Sequence, residues 1–468
     1  MVVKITDKMK FSRSFDYVDN GIEHGVLSKF EPKEILLKKG TLIAEGFKPL
    51  NCDIKMLKDV PVKLRDGVTI YTDIYLPNNC KKVPTLIAWS PYGKSAGTAP
   101  RYKNLFNMLG MGNAWNSGLT KFEAPDPSYW CAHGYAVCNP DMRGIAHSEG
   151  NTTMVGSQED QDGYDLIEWI ASQEWSNSKT ALTGTSYLAF SQWYIAAEQP
   201  PHLTCINPTE GLSDGYRDLA FIGGIPDKNF IERLQVNHVS AKGAKRENLV
   251  KEMDCYPLAT AEVWKDKVAD TSKITVPAFV IASYSNTLHT MGTFRSWRNL
   301  GSKEKWLRIH DKQEWPYYYD KDNVEELRRF FDYYLLDKDN GWNKTSQVRY
   351  SLIDFQGNNT NDISTGTFPP SETSNTKYFF NPLTRTLQDN AGKTDTDEIP
   401  AYSFDRVEKL SEKQIYDKDE TLRIVISSKD ELGSVMPGTP GCTPDNGGIH
   451  ILHTGGITTS YLQLPLLN

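Results

Sequence analysis

Residues Lys179 to Trp193, KTALTGTSYLAFSQW, constrain this chain more than any other stretch, because an apolar strand must turn through Gly184-Thr185-Ser186 directly into a helix. A residue on such a tight strand-to-helix turn has its side chain thrust clear of the sheet, and the glycine lets the turn close. The following helix adds backbone N–H groups at the same point, where they can hold an oxyanion. Gly-x-Ser alone is a common tripeptide, and a buried serine in an ordinary βα turn would read the same way. Here the context fits throughout: Ala181-Leu182-Thr183 end the strand, and Leu188, Phe190, Trp193, Ile195 and Ala196 follow at helical spacing. Ser186 is the candidate nucleophile.

The rest of the chain alternates in the manner of an α/β protein. Val62 to Leu76 reads as a hairpin around Asp66-Gly67, Pro84 to Trp89 as a short strand ending at Pro91-Tyr92-Gly93, and Gly134 to Asn139 as a buried strand. Gln158 to Ser172 places Tyr164, Ile167 and Ile170 on one helical face. Such alternation predicts a mostly parallel sheet. Asp214 to Ser272 carries charged, helix-like runs without a clear strand and reads as an inserted helical cap. Sheet patterning resumes at Val276 to Ile281 and Lys305 to Ile309, with a helix from Val324 to Leu336. From Val348 onward short strands stand in Asn-, Thr-, Gly- and Pro-rich loops: VRYSLI, KYFF, TLRIVIS, GIHILH and SYLQL. The expected organisation is a core over 1–213 and 273–345, a cap over 214–272 and a β domain over 346–468.

A chain of 468 residues can bury a large core, and its net charge of −7, spread without a basic stripe, gives nucleic-acid binding no support. No apolar run approaches a membrane span, and the N-terminal residues lack the apolar core of a signal peptide. The seven cysteines are scattered without metal-ligand spacing. The expectation is a cytoplasmic protein acting on a small molecule, with no metal, no cofactor, no nucleic-acid partner and no membrane.

Five segments occur in an order that resembles one family: LRDGVTIYTDIYLP, SPYGK, GYAVCNPDMRG, EDQDGYDLIEWIASQEW and GTSYL. The chain resembles the CocE/NonD-type hydrolases, the cocaine esterases and X-prolyl dipeptidyl peptidases, over about residues 55 to 340. The resemblance implies an α/β-hydrolase core with a helical cap and a C-terminal jelly roll, cleaving esters or amides through a Ser-His-Asp triad. It implies Ser186 as nucleophile, with the Tyr92 hydroxyl and the Tyr187 N–H as oxyanion donors.

The other triad members depart from the family pattern. Where the acid belongs, the chain reads Ser283-Tyr284-Ser285-Asn286, so Asn286 falls at the aspartate position. Where the histidine belongs, Gln313 or Glu314 stands instead. Three histidines are candidates for the base. His310, at the carboxyl end of its strand, is the first candidate; His289, three residues past Asn286, is the second. His147, in the loop after Arg143-Gly144, is a third. Each could equally be a histidine that caps a strand or bonds a backbone carbonyl. Trp115, Phe122, Tyr129 and Trp130, in a long connection, either wall an apolar pocket or simply pack. Asp141 and Arg143 are expected to fix their loop through an internal salt bridge. Between about 385 and 421 too little sequence remains for the middle strands of a full jelly roll. The β domain is therefore expected to be reduced, with open edges that would favour a homodimer.

Two functions follow. One is a serine hydrolase or acyl-transfer enzyme acting on an ester, thioester or amide of a hydrophobic small molecule. The alternative keeps the pocket but drops the acyl-enzyme, giving a repurposed catalyst of cyclisation, condensation or elimination, or a ligand-binding protein.

Overall fold

The computed structural model describes residues 13–17, 29–94, 100–111, 115–236, 240–284, 286, 288–354, 357–371, 373–381, 386–388, 414–415 and 461–467. These fall into two compact units, the first running to Thr345 and the second beginning at Ser346.

The first unit is built on one twisted sheet. Its strands are β1 (Lys33–Leu37), β2 (Ile54–Lys63), β3 (Thr69–Pro77), β4 (Val83–Ile87), β5 (Ala136–Asp141), β6 (Ser176–Thr185), β7 (Leu203–Thr209), β8 (Ala278–Ser283) and β9 (Lys305–His310). They lie in the order β1-β2-β3-β5-β4-β6-β7-β8-β9. Pairing is antiparallel from β1 to β5 and parallel from β5 to β9. Every residue of β4, β5 and β8 is buried, as expected of strands covered on both faces.

The covering helices include α1 (Ser157–Ala171), α2 (Tyr187–Ala197), α3 (Thr290–Asn299), α4 (Glu314–Tyr318) and α5 (Lys321–Leu335). Helix α2 is buried on every side from Tyr187 to Ala196, so the elbow it follows is held in the middle of the molecule. Helix α5 begins a turn earlier than its apolar spacing predicts, because the Asp320 side chain accepts the N–H groups of Asp322 and Asn323. Its Phe330 and Phe331 pack with Phe279, Trp130, Trp306 and Trp342 in the core.

Residues 214–272 are helical at Lys228–Val236, Leu249–Cys255 and Glu262–Lys265. Contrary to the sequence expectation they also contain strands. Phe221–Ile222 and Ile225–Pro226 form a hairpin about Gly223-Gly224, and Lys245–Glu247 pairs with Phe15–Tyr17. These strands are too short to leave an alternating pattern.

In the second unit, Val348–Asp354 pairs with Thr360–Thr365 and with Gln414–Ile415, while Thr373–Asn381 lies between Thr386–Gln388 and Tyr461–Leu467. The predicted strands TLRIVIS and GIHILH, and with them the strand count of a full or reduced jelly roll, lie outside the described residues. No helix among the described residues is long and apolar enough to cross a membrane.

Candidate active site

The parallel strands end on one rim, where open α/β sheets gather ligands and reacting groups. Ser186 stands at the end of β6 with φ 57° and ψ −120°, a strained conformation for a residue with a side chain. Its amide donates to Thr209 O at 3.1 Å, tying the elbow to β7. Gly184 is required here. A Cβ on it would lie 2.5 Å from Leu188 Cβ and 2.9 Å from Glu123 O. The missing side chain therefore admits both the helix and a neighbouring loop, whose Glu123 carbonyl accepts the Thr185 N–H at 3.3 Å.

That loop brings a residue the sequence reading missed. Glu123 is fully buried, with φ 65°. Its carboxyl accepts Trp315 Nε1–H at 3.0 Å and interacts with the Ser186 hydroxyl, the Tyr92 hydroxyl and the Tyr187 amide. Burial raises its pKa to about 8 against the pull of those donors. The loop is pinned by Lys121, whose ammonium donates to the carbonyls of Ala88, Ser90 and Pro140 at 3.1, 3.1 and 2.7 Å.

Tyr92 is buried on Phe122, ring centroids 5.1 Å apart, and faces the Tyr187 ring at 6.0 Å. Tyr187 in turn donates its hydroxyl to buried Glu159 at 2.9 Å. The Pro-Tyr-Gly loop is anchored one residue later, where Lys94 Nζ bridges Asp59 and Asp141 at 2.8 and 2.7 Å. Asp141 therefore pairs with Lys94 rather than with Arg143. Arg143 instead meets Asp162 and Asp66, at 2.7 and 2.8 Å.

The loop after β8 carries the base candidate that reaches the serine. His289 Nε2 lies 3.1 Å from Ser186 Oγ and 3.6 Å from Glu314 Oε2. Its Nδ1 is buried with no hydrogen-bond partner among the described residues. Burial lowers the His289 pKa to about 4, with the charge of Glu210 opposing the shift. Asn286 shapes this loop: its Oδ1 accepts the amides of Leu288 and His289, each at 3.1 Å. Its Nδ2 donates to Glu314 Oε2 at 2.7 Å and to Glu210 Oε2 at 2.9 Å.

His310, the first candidate by sequence, goes elsewhere. Its Nε2 lies 2.7 Å from Glu210 Oε1, its Nδ1 accepts the Lys312 amide at 3.2 Å, and its ring stacks on Tyr317 at 3.8 Å. A strand-end side chain takes whichever face its register dictates, and the face His310 takes holds Glu210. His147 packs on Phe30, ring centroids 5.1 Å apart. Gln313 caps α4 by accepting the Trp315 amide, leaving Glu314 to face the site. Burial, followed by the charges of Glu210 and Glu123, pushes the Glu314 pKa well above the carboxylate range.

Glu210, also missed, is the hub of this side. It has φ 52° at the end of β7, and Ser283 Oγ donates to its Oε2 at 2.9 Å. Gly211, where a Cβ would lie 2.7 Å from Ala189 Cβ, lets that turn approach α2. The signal for Glu210 was its place next to a glycine just past a buried strand. Glu123, in a long connection, had no comparable signal.

The aromatic residues expected around a pocket divide. Phe122 packs against Tyr92 and Trp315 beside the serine. Trp115, Tyr129 and Trp130, by contrast, line a separate cavity of about 130 Å³ with Tyr318 and Tyr319, whose walls do not include Ser186, Tyr92 or His289. Contacts at the end of α4 and on α5 hold them there, Trp115 packing tilted against Tyr319 with ring centroids 3.9 Å apart and the Tyr129 hydroxyl donating to Glu325 at 2.6 Å. No group of three or more His, Cys, Asp or Glu side chains among the described residues is arranged to hold a metal.

A sheet with this order, a strained serine elbow at its parallel rim and a histidine against the hydroxyl define an α/β-hydrolase. Residues 66–313 match the family described as X-Pro dipeptidyl-peptidase (S15 family), and the chain belongs to that family. A CocE/NonD family hydrolase from Staphylococcus aureus, solved by crystallography, superposes with a TM-score of 0.69 at 32% identity, covering 78% of this chain and 64% of that one. The cocaine esterase of a Rhodococcus species is 31% identical over 160 residues, 34% of this chain and 24% of that protein. An aminopeptidase of a Thaumarchaeota archaeon shares the fold at 16% identity, with a TM-score of 0.53 over 80% of this chain and 65% of that one. The chain thus spans about a quarter of the esterase and under two thirds of the hydrolase it resembles.

Proposed function

We propose that this protein is a serine hydrolase or acyl-transfer enzyme acting on an ester, thioester or amide of a hydrophobic small molecule. The observation that carries the reading is His289 Nε2 at 3.1 Å from Ser186 Oγ on a strained elbow. In this reading Nε2 takes the hydroxyl proton as Oγ attacks the acyl carbon, and the carbonyl π pair moves onto oxygen. The Tyr92 hydroxyl and Tyr187 N–H receive that oxyanion. Collapse of the intermediate expels the leaving group, which takes the proton from His289. A water or another nucleophile then repeats the sequence on the acyl-enzyme. The charge of Glu210 favours the imidazolium, Glu314 lies 3.6 Å from Nε2, and Asn286 bonds both acids and the His289 amide.

A fluorophosphonate probe tests this directly. Ser186 should label in the intact protein, and labelling should fall to background in Ser186→Ala. The second reading, non-hydrolytic acid–base chemistry in the inherited pocket, is favoured by one observation: the carboxyls of Glu123 and Glu314 both reach the serine's surroundings. Turnover that survives Ser186→Ala but is lost in Glu314→Gln would select it.

A further inference from the structure

We propose that Glu159 is the positioning residue of the oxyanion site: its two carboxyl oxygens hold the segments that carry Tyr92 and Tyr187 at a fixed separation, so that the Tyr92 hydroxyl and the Tyr187 N–H can receive one oxygen together. The inference rests on the reading of Ser186 as nucleophile with those two donors. It assigns a role to an acid that acts only through its neighbours.

The buried carboxyl is shared between the two segments. Oε1 accepts Trp89 Nε1–H at 3.0 Å, and Oε2 accepts the Tyr187 hydroxyl at 2.9 Å. Oε2 also accepts the Val155 amide at 2.8 Å, which fixes the carboxyl to the chain just before its own helix. Trp89, just past β4, leads straight into Ser90-Pro91-Tyr92. Lys121 Nζ donates to Ala88 O and to Ser90 O, each at 3.1 Å, so residues 88–90 move as one body. Beyond Tyr92 the loop ends on Lys94, whose amide donates to Asp141 Oδ1 at 2.7 Å. A shift of Trp89 is therefore passed on to Tyr92. On the other side, the hydroxyl that Glu159 holds belongs to the residue whose backbone N–H is the second donor, the first residue of α2. One other side chain ties the same segments: Ser191 Oγ lies 3.2 Å from Trp89 O, but equally 3.2 Å from Leu188 O. A single hydroxyl proton serves one of these acceptors at a time, so that tie is divided and the carboxyl carries the alignment. Gly163, one turn further along α1, makes the reach possible, since a Cβ there would collide with the Ile195 side chain of α2. The EDQDGYD segment thus supplies both the acid and the glycine that lets its helix close on α2. Among the described residues the carboxyl bonds only neutral donors, an arrangement that is costly to bury. Two of those three donors lie on the segments that carry the oxyanion groups.

A misplacement of about 1 Å at a reacting centre can cost about 10²-fold in rate. With two donors the carboxyl sets their spacing; with one donor left there is no spacing to keep. The experiment uses that difference. Trp89→Phe and Tyr187→Phe each delete one bond to Glu159 while leaving the Tyr92 hydroxyl and the Tyr187 N–H in the chain. The rate of fluorophosphonate labelling at saturating probe is measured per folded molecule at about pH 8.5, above the value of about 7 to which burial raises the Glu159 pKa, so that both oxygens accept. Each variant should slow labelling by about tenfold in the otherwise intact protein and by less than about twofold when combined with Tyr92→Phe. Reversible binding of the probe should stay within about twofold throughout. A purely structural defect would slow both backgrounds by the same factor, and equal factors overturn the proposal. Single variants that label within about twofold of the intact protein overturn it as well. If Trp89→Phe does not fold, Tyr187→Phe, which keeps its ring, makes the same comparison. Failure of the underlying reading looks different. A folded, intact protein that does not label rejects the nucleophile, a Tyr92→Phe protein as fast as the intact one rejects the donor, and the role of Glu159 falls with either.

Discussion

The two halves of the serine site are held together in different ways. On the nucleophile side, Ser186, Tyr187 and Tyr92 are placed by short-range geometry: a glycine that admits the turn, a helix that starts at once, and a Pro-Tyr-Gly loop locked by Lys94. On the acid–base side, Glu123, Glu210, the loop carrying Asn286 and His289, and Glu314 arrive on separate connections; Glu210, Asn286, His289 and Glu314 are fixed largely by one another and Glu123 by Trp315. The first half tolerates little change in local backbone. The second depends on side-chain contacts between residues far apart in the chain.

The largest effect short of removing the nucleophile is expected on the nucleophile side. Tyr92→Phe keeps the ring packed on Phe122 but deletes a donor, and should slow Ser186 acylation by about 10²–10³-fold. Labelling kinetics of the folded variant would show it. A loss within twofold would mean that Tyr92 is packing alone, and the contrast between the halves would shrink.

A smaller, graded effect is expected on the acid–base side. Protonated His289 cannot accept the serine proton, so the rate should fall as pH drops through the His289 pKa. Because burial holds that pKa at about 4, the limb should lie well below the ~6.5 of an exposed imidazole. A limb near 6.5 in the pH profile of labelling would place the base in a far wetter setting than the one described.

The difference between the halves also explains what was legible in the sequence. The elbow, the Pro-Tyr-Gly loop, the hairpin about Asp66-Gly67 and the parallel strands all rest on patterns a few residues long, and the sheet has them in the expected places. The choice between His289 and His310 does not rest on such a pattern. It depends on Asn286 Oδ1 turning the loop after β8 inward, and on Glu210 waiting on the face that His310 takes. Glu210 and Glu123 both reach the rim through a positive-φ backbone, Glu210 with Gly211 beside it as its one local signal and Glu123 against Gly184, far along the chain, with none. The short strands of residues 214–272 were missed because two or three residues cannot carry a period.

The account turns on which imidazole serves Ser186, and the direct test is the second-order rate of fluorophosphonate labelling in His289→Ala and His310→Ala, each corrected for the folded fraction. His289→Ala should slow labelling by about 10²-fold or more, the scale of general base catalysis, without weakening reversible binding of the probe. His310→Ala should leave the rate per folded molecule within a few-fold, while lowering the melting temperature because Glu210 loses a buried neighbour. The reverse pattern, with labelling lost in His310→Ala and kept in His289→Ala, would contradict the assignment of His289 as the base.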